Sequence, residues 1–99
     1  MTRLRVELVP AALSEAHDAR KWYAARSQEA ADRFMAELDR VIAMIAENPT
    51  RWPEYRRGAR RLRLRRFPYA ALYRVEPEVV LVVAIAHQRR KPGYWASRR

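Results

Sequence analysis

The chain has 99 residues, which is the size of one domain with a modest core, so we expect a single domain over residues 1–99. It carries 21 Lys and Arg against 11 Asp and Glu, and the net charge of +10 favours phosphate-rich or acidic partners. The absence of cysteine excludes disulfides and thiolate metal sites. The longest apolar run, Val79 to Ala86, is far below the roughly 18 residues that span a bilayer, so we expect a soluble, cytoplasmic protein without a membrane partner.

The first third of the chain predicts a strand and then a helix. Leu4, Val6 and Leu8 alternate with charged residues, which is the period of a strand with one dry face. Pro10 ends this strand and can open a helix that runs to about Arg26. Its inner stripe is predicted to be Leu13, Ala16, Ala19 and Tyr23, with Glu15, Asp18, Arg20 and Lys21 outside.

A second helix follows, with Ser27 as its N-cap and Asn48-Pro49 as its stop. Its apolar residues recur at helical spacing on one face: Ala31, Phe34, Met35, Leu38, Val41, Ile42 and Ile45. The short join between the helices predicts an antiparallel helical hairpin, whose apolar stripe needs a sheet to cover it.

The second half of the chain predicts three strands. Turn residues indicate a loop over 49–58, and Arg60 to Arg66 then alternates arginine with leucine. A strand there places Leu62 and Leu64 on the helices and Arg61, Arg63 and Arg65 on the opposite face. Two more strands, Tyr69–Val75 and Val79–Ala86, are joined by a turn at 76–78, and the second is apolar on both faces, as in the middle of a sheet. The predicted order is β-α-α-β-β-β, an α+β fold.

Charge is unevenly distributed along this order. Residues 10–48 hold five cations and seven anions, residues 51–66 hold eight arginines and one glutamate, and residues 87–99 hold five cations. We therefore predict that guanidinium groups of the middle segment and of the C-terminal tail converge on the sheet face away from the helices. A cleft lined by one sign of charge concentrates ligands of the opposite sign.

Four segments carry a resemblance to a known family: Phe67-Pro68-Tyr69, Leu72–Val75, Val82–His87 and Arg89–Trp95. Their order and spacing, over nearly the whole chain, resemble the RelE/ParE superfamily of bacterial toxin-antitoxin toxins, the plasmid stabilisation family. The resemblance implies a four-stranded antiparallel sheet packed by the two helices, and inhibition of growth through a macromolecular target. It also implies neutralisation by a cognate antitoxin, for which the positive charge predicts an acidic segment.

Two activities occur in this superfamily, since RelE-like members cut messenger RNA on the ribosome and ParE-like members poison DNA gyrase. Cleavage of RNA requires a group that accepts the proton of the 2′-hydroxyl, cations at the phosphoryl oxygens and an acid for the leaving oxygen. His87 could serve as base or acid, Arg89 matches a catalytic arginine of the ribonuclease branch, and Tyr94 completes the candidate catalytic set. For contacts with the target or with nucleic acid we expect Arg61, Arg63, Arg65, Arg90, Lys91 and Trp95.

One position departs from the ribonuclease branch, which usually carries an arginine where this chain has Ala70. Loss of a preorganised donor to the phosphoryl group commonly lowers the rate by roughly 10²- to 10³-fold. The gyrase-directed activity is therefore slightly favoured; the alternatives are a metal-independent endoribonuclease and a non-catalytic nucleic-acid-binding domain. Whether the protein is an enzyme stays open, and we expect no cofactor and no metal.

Each candidate also has a purely structural interpretation. His87 could be a strand-end histidine satisfied by the backbone, and the arginines could form a solvated strand face. Tyr94 and Trp95 could simply pack the tail onto the sheet.

Overall fold

The computed structural model describes residues 4–98, which form two helices and five strands. In chain order the elements are β1 (Arg5–Leu8), α1 (Pro10–Ala24), α2 (Gln28–Glu47), β2 (Glu54–Arg56), β3 (Ala59–Arg63), β4 (Tyr69–Val75) and β5 (Val79–His87). The α+β class and the packing of a helical hairpin on a sheet are confirmed. No helix within residues 4–98 is long and apolar enough to cross a membrane.

The sheet has five strands in the order β1-β5-β4-β3-β2, and β1 lies parallel to β5 while the other pairs are antiparallel. The prediction of a four-stranded, fully antiparallel sheet is therefore wrong in both respects. A strand that is apolar on both faces is typical of a sheet interior, and β5 lies between β4 and β1. The register pairs Arg5 with Val79 and Leu8 with Val82.

The additional strand, β2, lies in the segment predicted to be a loop. It forms a hairpin with β3 through Arg57 and Gly58, whose φ angles are 54° and 74°. Positive φ at both central residues matches the two-residue turns that suit the twist of a hairpin. The sequence signal was weak because arginine is not a usual residue at the first of these positions.

Helix α1 buries a stripe of small residues, Ala12, Ala16 and Ala19, against the sheet. The prediction that Leu13 belongs to this stripe is wrong, since Leu13 is 48% exposed. The buried stripe is therefore rotated from the predicted one, with Ala12 buried in place of Leu13.

Helix α2 follows the sequence prediction closely. The side chain of Ser27 accepts a hydrogen bond from the Ala30 N–H at 3.0 Å, which caps the helix. The fully or almost fully buried residues of its inner face are Ala31, Phe34, Leu38, Val41 and Ile45. The predicted N-cap and apolar face are both confirmed.

Strand β3 ends at Arg63, three residues before the predicted end at Arg66. The Arg65 N–H donates to the Glu37 carboxylate of α2 at 2.6 Å, and Arg66 has a φ of 67°, which is incompatible with a strand. Arg65 therefore does not continue the arginine face of the strand.

A leucine-to-alanine substitution on each helix tests which side chains of the helical hairpin are buried. We expect Leu38→Ala to lower the free energy of unfolding by about 2–5 kcal/mol, because it empties a site that is 3% exposed. Leu13→Ala should change it by less than about 0.5 kcal/mol, because that side chain is half exposed. Urea denaturation of both variants measures the difference, and similar losses in the two would contradict the described orientation of α1.

Candidate functional site

The face of the sheet away from the helices carries the first group of predicted residues. Arg61 pairs with Leu72 and Arg63 with Ala70, so both arginines share a face with these small or apolar side chains. The neighbouring residues Leu62 and Ala71 point to the other face, where the helices pack. This matches the predicted division of leucines and arginines within β3.

A cavity of about 320 Å³ lies over this face, and we call it the arginine cavity. Arg61, Arg63 and Arg90 line it, and no carboxylate does. Its remaining lining residues are Tyr55, Leu64, Phe67, Pro68, Tyr69, Ala70, Leu72, Ala86, His87, Gln88, Pro92 and Trp95. Cations from the middle segment and from the tail thus meet at one cavity, as predicted for these three arginines.

A second cavity, of about 510 Å³, lies on the other side of the β5 end, between α1 and the tail. It holds all three candidate catalytic residues, His87, Arg89 and Tyr94, together with two carboxylates, Glu15 and Asp18. We call it the carboxylate cavity. His87 and Arg90 line both cavities, so the strand end separates a cationic site from one of mixed charge.

The Glu15 carboxylate, on α1, connects three parts of the fold. Oε1 accepts from the Ile85 N–H at 3.0 Å and from the Arg98 guanidinium at 2.8 Å. Oε2 accepts from the Tyr94 hydroxyl at 2.6 Å and lies 3.9 Å from the Arg90 guanidinium. The helix, the edge of β5 that β1 leaves uncovered and the tail are thereby held together.

The tail also packs on the sheet through Trp95, whose side chain is 2% exposed and belongs to the core. Arg74 of β4 donates hydrogen bonds to the carbonyls of Ala96 and Arg98, each at 3.1 Å. Trp95 lines the floor of the arginine cavity and would have to leave the core to stack on a base. Packing of the tail onto the sheet was one of the two interpretations of this residue.

His87 ends β5 on the face of the sheet that the helices cover. Its ring packs edge to face on Tyr69 at 5.0 Å between centroids, and its Nδ1 accepts the Arg89 N–H at 3.0 Å. One ring nitrogen is therefore already satisfied by the backbone, which leaves Nε2 as the nitrogen available for other contacts.

Two of the remaining candidates lie outside these contacts. Arg65 and Lys91 are exposed and line neither cavity. Arg90 stacks on the Tyr94 ring, with 3.8 Å between the guanidinium carbon and the ring centroid. Within residues 4–98 there is no group of three or more His, Cys, Asp or Glu side chains that could hold a metal ion.

Two carboxylates that hold the site together were not found by sequence reasoning. Glu15 was placed on the outside of α1, and Glu37 falls off the predicted apolar face of α2, so periodicity assigns both to solvent. Tertiary contacts overrule that assignment, since the two side chains are only 15% and 12% exposed. The pKa of Glu37 is lowered, mainly by the hydrogen bond from Arg40.

Two tyrosines, the buried Tyr73 and the partly buried Tyr94, are held in their neutral form. Burial raises the pKa of Tyr73 to about 12, and its hydroxyl donates to the Pro49 carbonyl at 2.7 Å. Burial also raises the pKa of Tyr94, and the hydrogen bond to Glu15 raises it further. A hydroxyl held in this way is a weak proton acceptor at neutral pH.

Comparison with known proteins defines the class to which this fold and site belong. A family described as "ParE toxin of type II toxin-antitoxin system, parDE" matches residues 6–92. A solved structure described as the chromosomal ParDE toxin-antitoxin system from P. aeruginosa superimposes with a TM-score of 0.75 at 17% identity, covering 86% of this chain and 96% of that one. Comparison with curated protein sequences gave no significant match.

The strand, helical hairpin and four further strands are thus a fold shared with that solved structure. The family match defines the class, a toxin of the RelE/ParE superfamily. The chain belongs to the ParE family, the toxins of parDE type II toxin-antitoxin systems. The predicted superfamily and toxin function are confirmed, and the family implies a ParD antitoxin as partner.

The buried tyrosines predict loss of stability at alkaline pH. Tyrosines of the unfolded chain ionise near pH 10, while Tyr73 in the folded protein keeps its proton to about pH 12. The contribution of each such tyrosine to the free energy of unfolding should therefore be fully present below pH 10. Above pH 10 the free energy of unfolding should fall by about 1.4 kcal/mol per pH unit for each such tyrosine. Tyr73→Phe and Tyr94→Phe should each make the decline shallower in denaturation curves between pH 9 and 12, whereas an unchanged decline in both would contradict their described burial.

Proposed function

We propose that this ParE toxin inhibits growth by acting on DNA gyrase and that it does not cut RNA. The observation that carries the proposal is the composition of the carboxylate cavity. His87, Arg89 and Tyr94 share it with Glu15 and Asp18, while Arg61 and Arg63 lie on the opposite face of the sheet. A phosphate placed beside the three candidate catalytic residues meets two carboxylates.

The chemistry of the individual groups supports the same proposal. The Tyr94 hydroxyl donates a hydrogen bond to Glu15, and its raised pKa keeps it from acting as a base at neutral pH. The position of a ribonuclease arginine is occupied by Ala70, which is 9% exposed and offers no donor. In the carboxylate cavity, Glu15 and Asp18 oppose the binding of a phosphoryl group. In the arginine cavity, His87 is the only histidine or carboxyl group among the lining residues, so cleavage there lacks either the base or the acid.

Under this proposal the protein is an inhibitor that acts by binding, with no cofactor and no catalytic residue. Gyrase works in the cytoplasm, so the proposal assigns the toxin to that compartment. We further propose that ParD neutralises it with a segment rich in acidic residues, since charge complementarity to a +10 protein favours such a partner. A segment of this kind gains affinity by ordering over a large surface.

To test the target, the purified toxin is incubated with gyrase and plasmid DNA, and separately with translating ribosomes. We expect inhibition of supercoiling with broken DNA and intact messenger RNA. His87→Ala should leave gyrase inhibition unchanged, because His87 has no catalytic role in it. Arg20→Gln, an exposed substitution on α1, serves as the control for the preparation. Messenger RNA cleavage that disappears in His87→Ala would overturn the proposal in favour of the endoribonuclease.

A further inference from the structure

The β2–β3 hairpin concentrates positive charge in a short, well-defined element. Residues 54–63, which we call the arginine hairpin, contain one carboxylate, that of Glu54. Their arginines are Arg56, Arg57, Arg60, Arg61 and Arg63. No other element of the fold carries so many like charges on so few residues.

Within residues 4–98 these arginines have no carboxylate partner. The ion pairs among residues 4–98 involve Arg5, Arg33, Arg40, Arg90 and Arg98. All of their carboxylate partners belong to β1 or to the helices, so folding brings none to the hairpin. Like charges on neighbouring strand positions repel each other, and an external anion relieves that repulsion.

The hairpin nevertheless presents its cations in a fixed arrangement. The Arg61 guanidinium stacks on the Tyr55 ring at 3.9 Å, and Arg60 donates to the Trp52 carbonyl at 2.5 Å. The turn at Arg57 is held from the other side, because Arg74 donates to its carbonyl at 3.4 Å. Less side-chain entropy is lost when preorganised guanidinium groups bind an anion.

The surface of the hairpin fits a phosphate backbone better than it fits a folding peptide. A segment that orders on binding gains much of its affinity from burying apolar surface. Among residues 4–98 the exposed large apolar side chains are Leu13 and Trp22, and both lie on α1. The apolar floor of the arginine cavity is already buried, as Leu72 and Trp95 show at 2% exposure each.

From these contacts we propose that the arginine hairpin binds the phosphate backbone of duplex DNA. Contacts to phosphates need cations and carry no sequence information, so binding should be independent of base sequence. The choice of duplex DNA as the source of phosphate rests on the proposed action on gyrase, because that target holds duplex DNA. The toxin then touches DNA itself while it is bound to its target.

The test measures binding of the toxin alone to a short fluorescein-labelled duplex by anisotropy over a series of KCl concentrations. The logarithm of the association constant should fall linearly with the logarithm of salt, with a slope of about 0.9 for each phosphate contacted. Arg56→Gln and Arg63→Gln, both at exposed positions, should each make the slope shallower by about 1. Arg20→Gln removes the same charge from exposed α1 and should leave the slope unchanged.

Several outcomes would overturn the inference. Equal flattening of the slope by Arg20→Gln would show that net charge alone attracts DNA. Tighter binding of single-stranded RNA of the same length, or of an acidic peptide of the same charge, would assign the hairpin to that partner instead. A toxin that inhibits gyrase without binding DNA contradicts this inference only, whereas one that binds DNA without affecting gyrase contradicts the proposed target only.

Discussion

The Glu15 carboxylate of α1 determines how the C-terminal tail is held against β5. Glu15 accepts hydrogen bonds from the Ile85 N–H, the Tyr94 hydroxyl and the Arg98 guanidinium, and so replaces a missing strand neighbour with a side chain. The pairing of β1 with β5 ends at Leu8 and Val82. The Ile85 N–H, further along β5, therefore has no strand partner on this edge and needs another acceptor. Because the tail is attached at this point, it crosses the sheet end and separates the arginine cavity from the carboxylate cavity.

The separation of charge follows from that arrangement and supports the proposed function. His87 at the end of β5 and Arg89 and Tyr94 of the tail lie beside carboxylates. In the part of the chain that the structure describes, the arginines of the β2–β3 hairpin have no carboxylate partner. A ribonuclease needs a proton-transfer group and phosphate-binding cations around the same phosphoryl group. Here Arg89 and Tyr94 line only the carboxylate cavity, and His87 alone of the three candidate catalytic residues also lines the arginine cavity. A single proton-transfer group beside the arginines suits a protein that binds a large target and carries out no chemistry on it.

Much of the fold could be predicted because local signals agreed with tertiary structure. The cap at Ser27 and the 3.6-residue period predicted α2. The two-residue alternation predicted β3 and the division of its side chains between two faces. Other features depend on distant contacts that no local pattern carries. Glu15 and Glu37 have the spacing of solvent-exposed residues, and only the folded chain brings Tyr94 and Arg65 to them. Likewise, the pairing of β1 with β5 is set by the sheet as a whole, and the hairpin turn at Arg57 lacks the usual residue types. All of the candidate residues except Arg65 and Lys91 line at least one of the two cavities, and their roles stay predictions. The division into two cavities was not predicted.

Hydrogen exchange of individual amides tests the role of Glu15 most directly. In the unmodified protein the Ile85 amide should exchange slowly, and in Glu15→Ala it should exchange faster together with the tail amides of Tyr94 and Ala96. The matched variant Glu29→Ala removes a carboxylate from an exposed ion pair on α2 and should leave these amides unchanged. Equal protection of Ile85 and the tail in all three proteins would contradict the account, because the tail would then be held without the carboxylate.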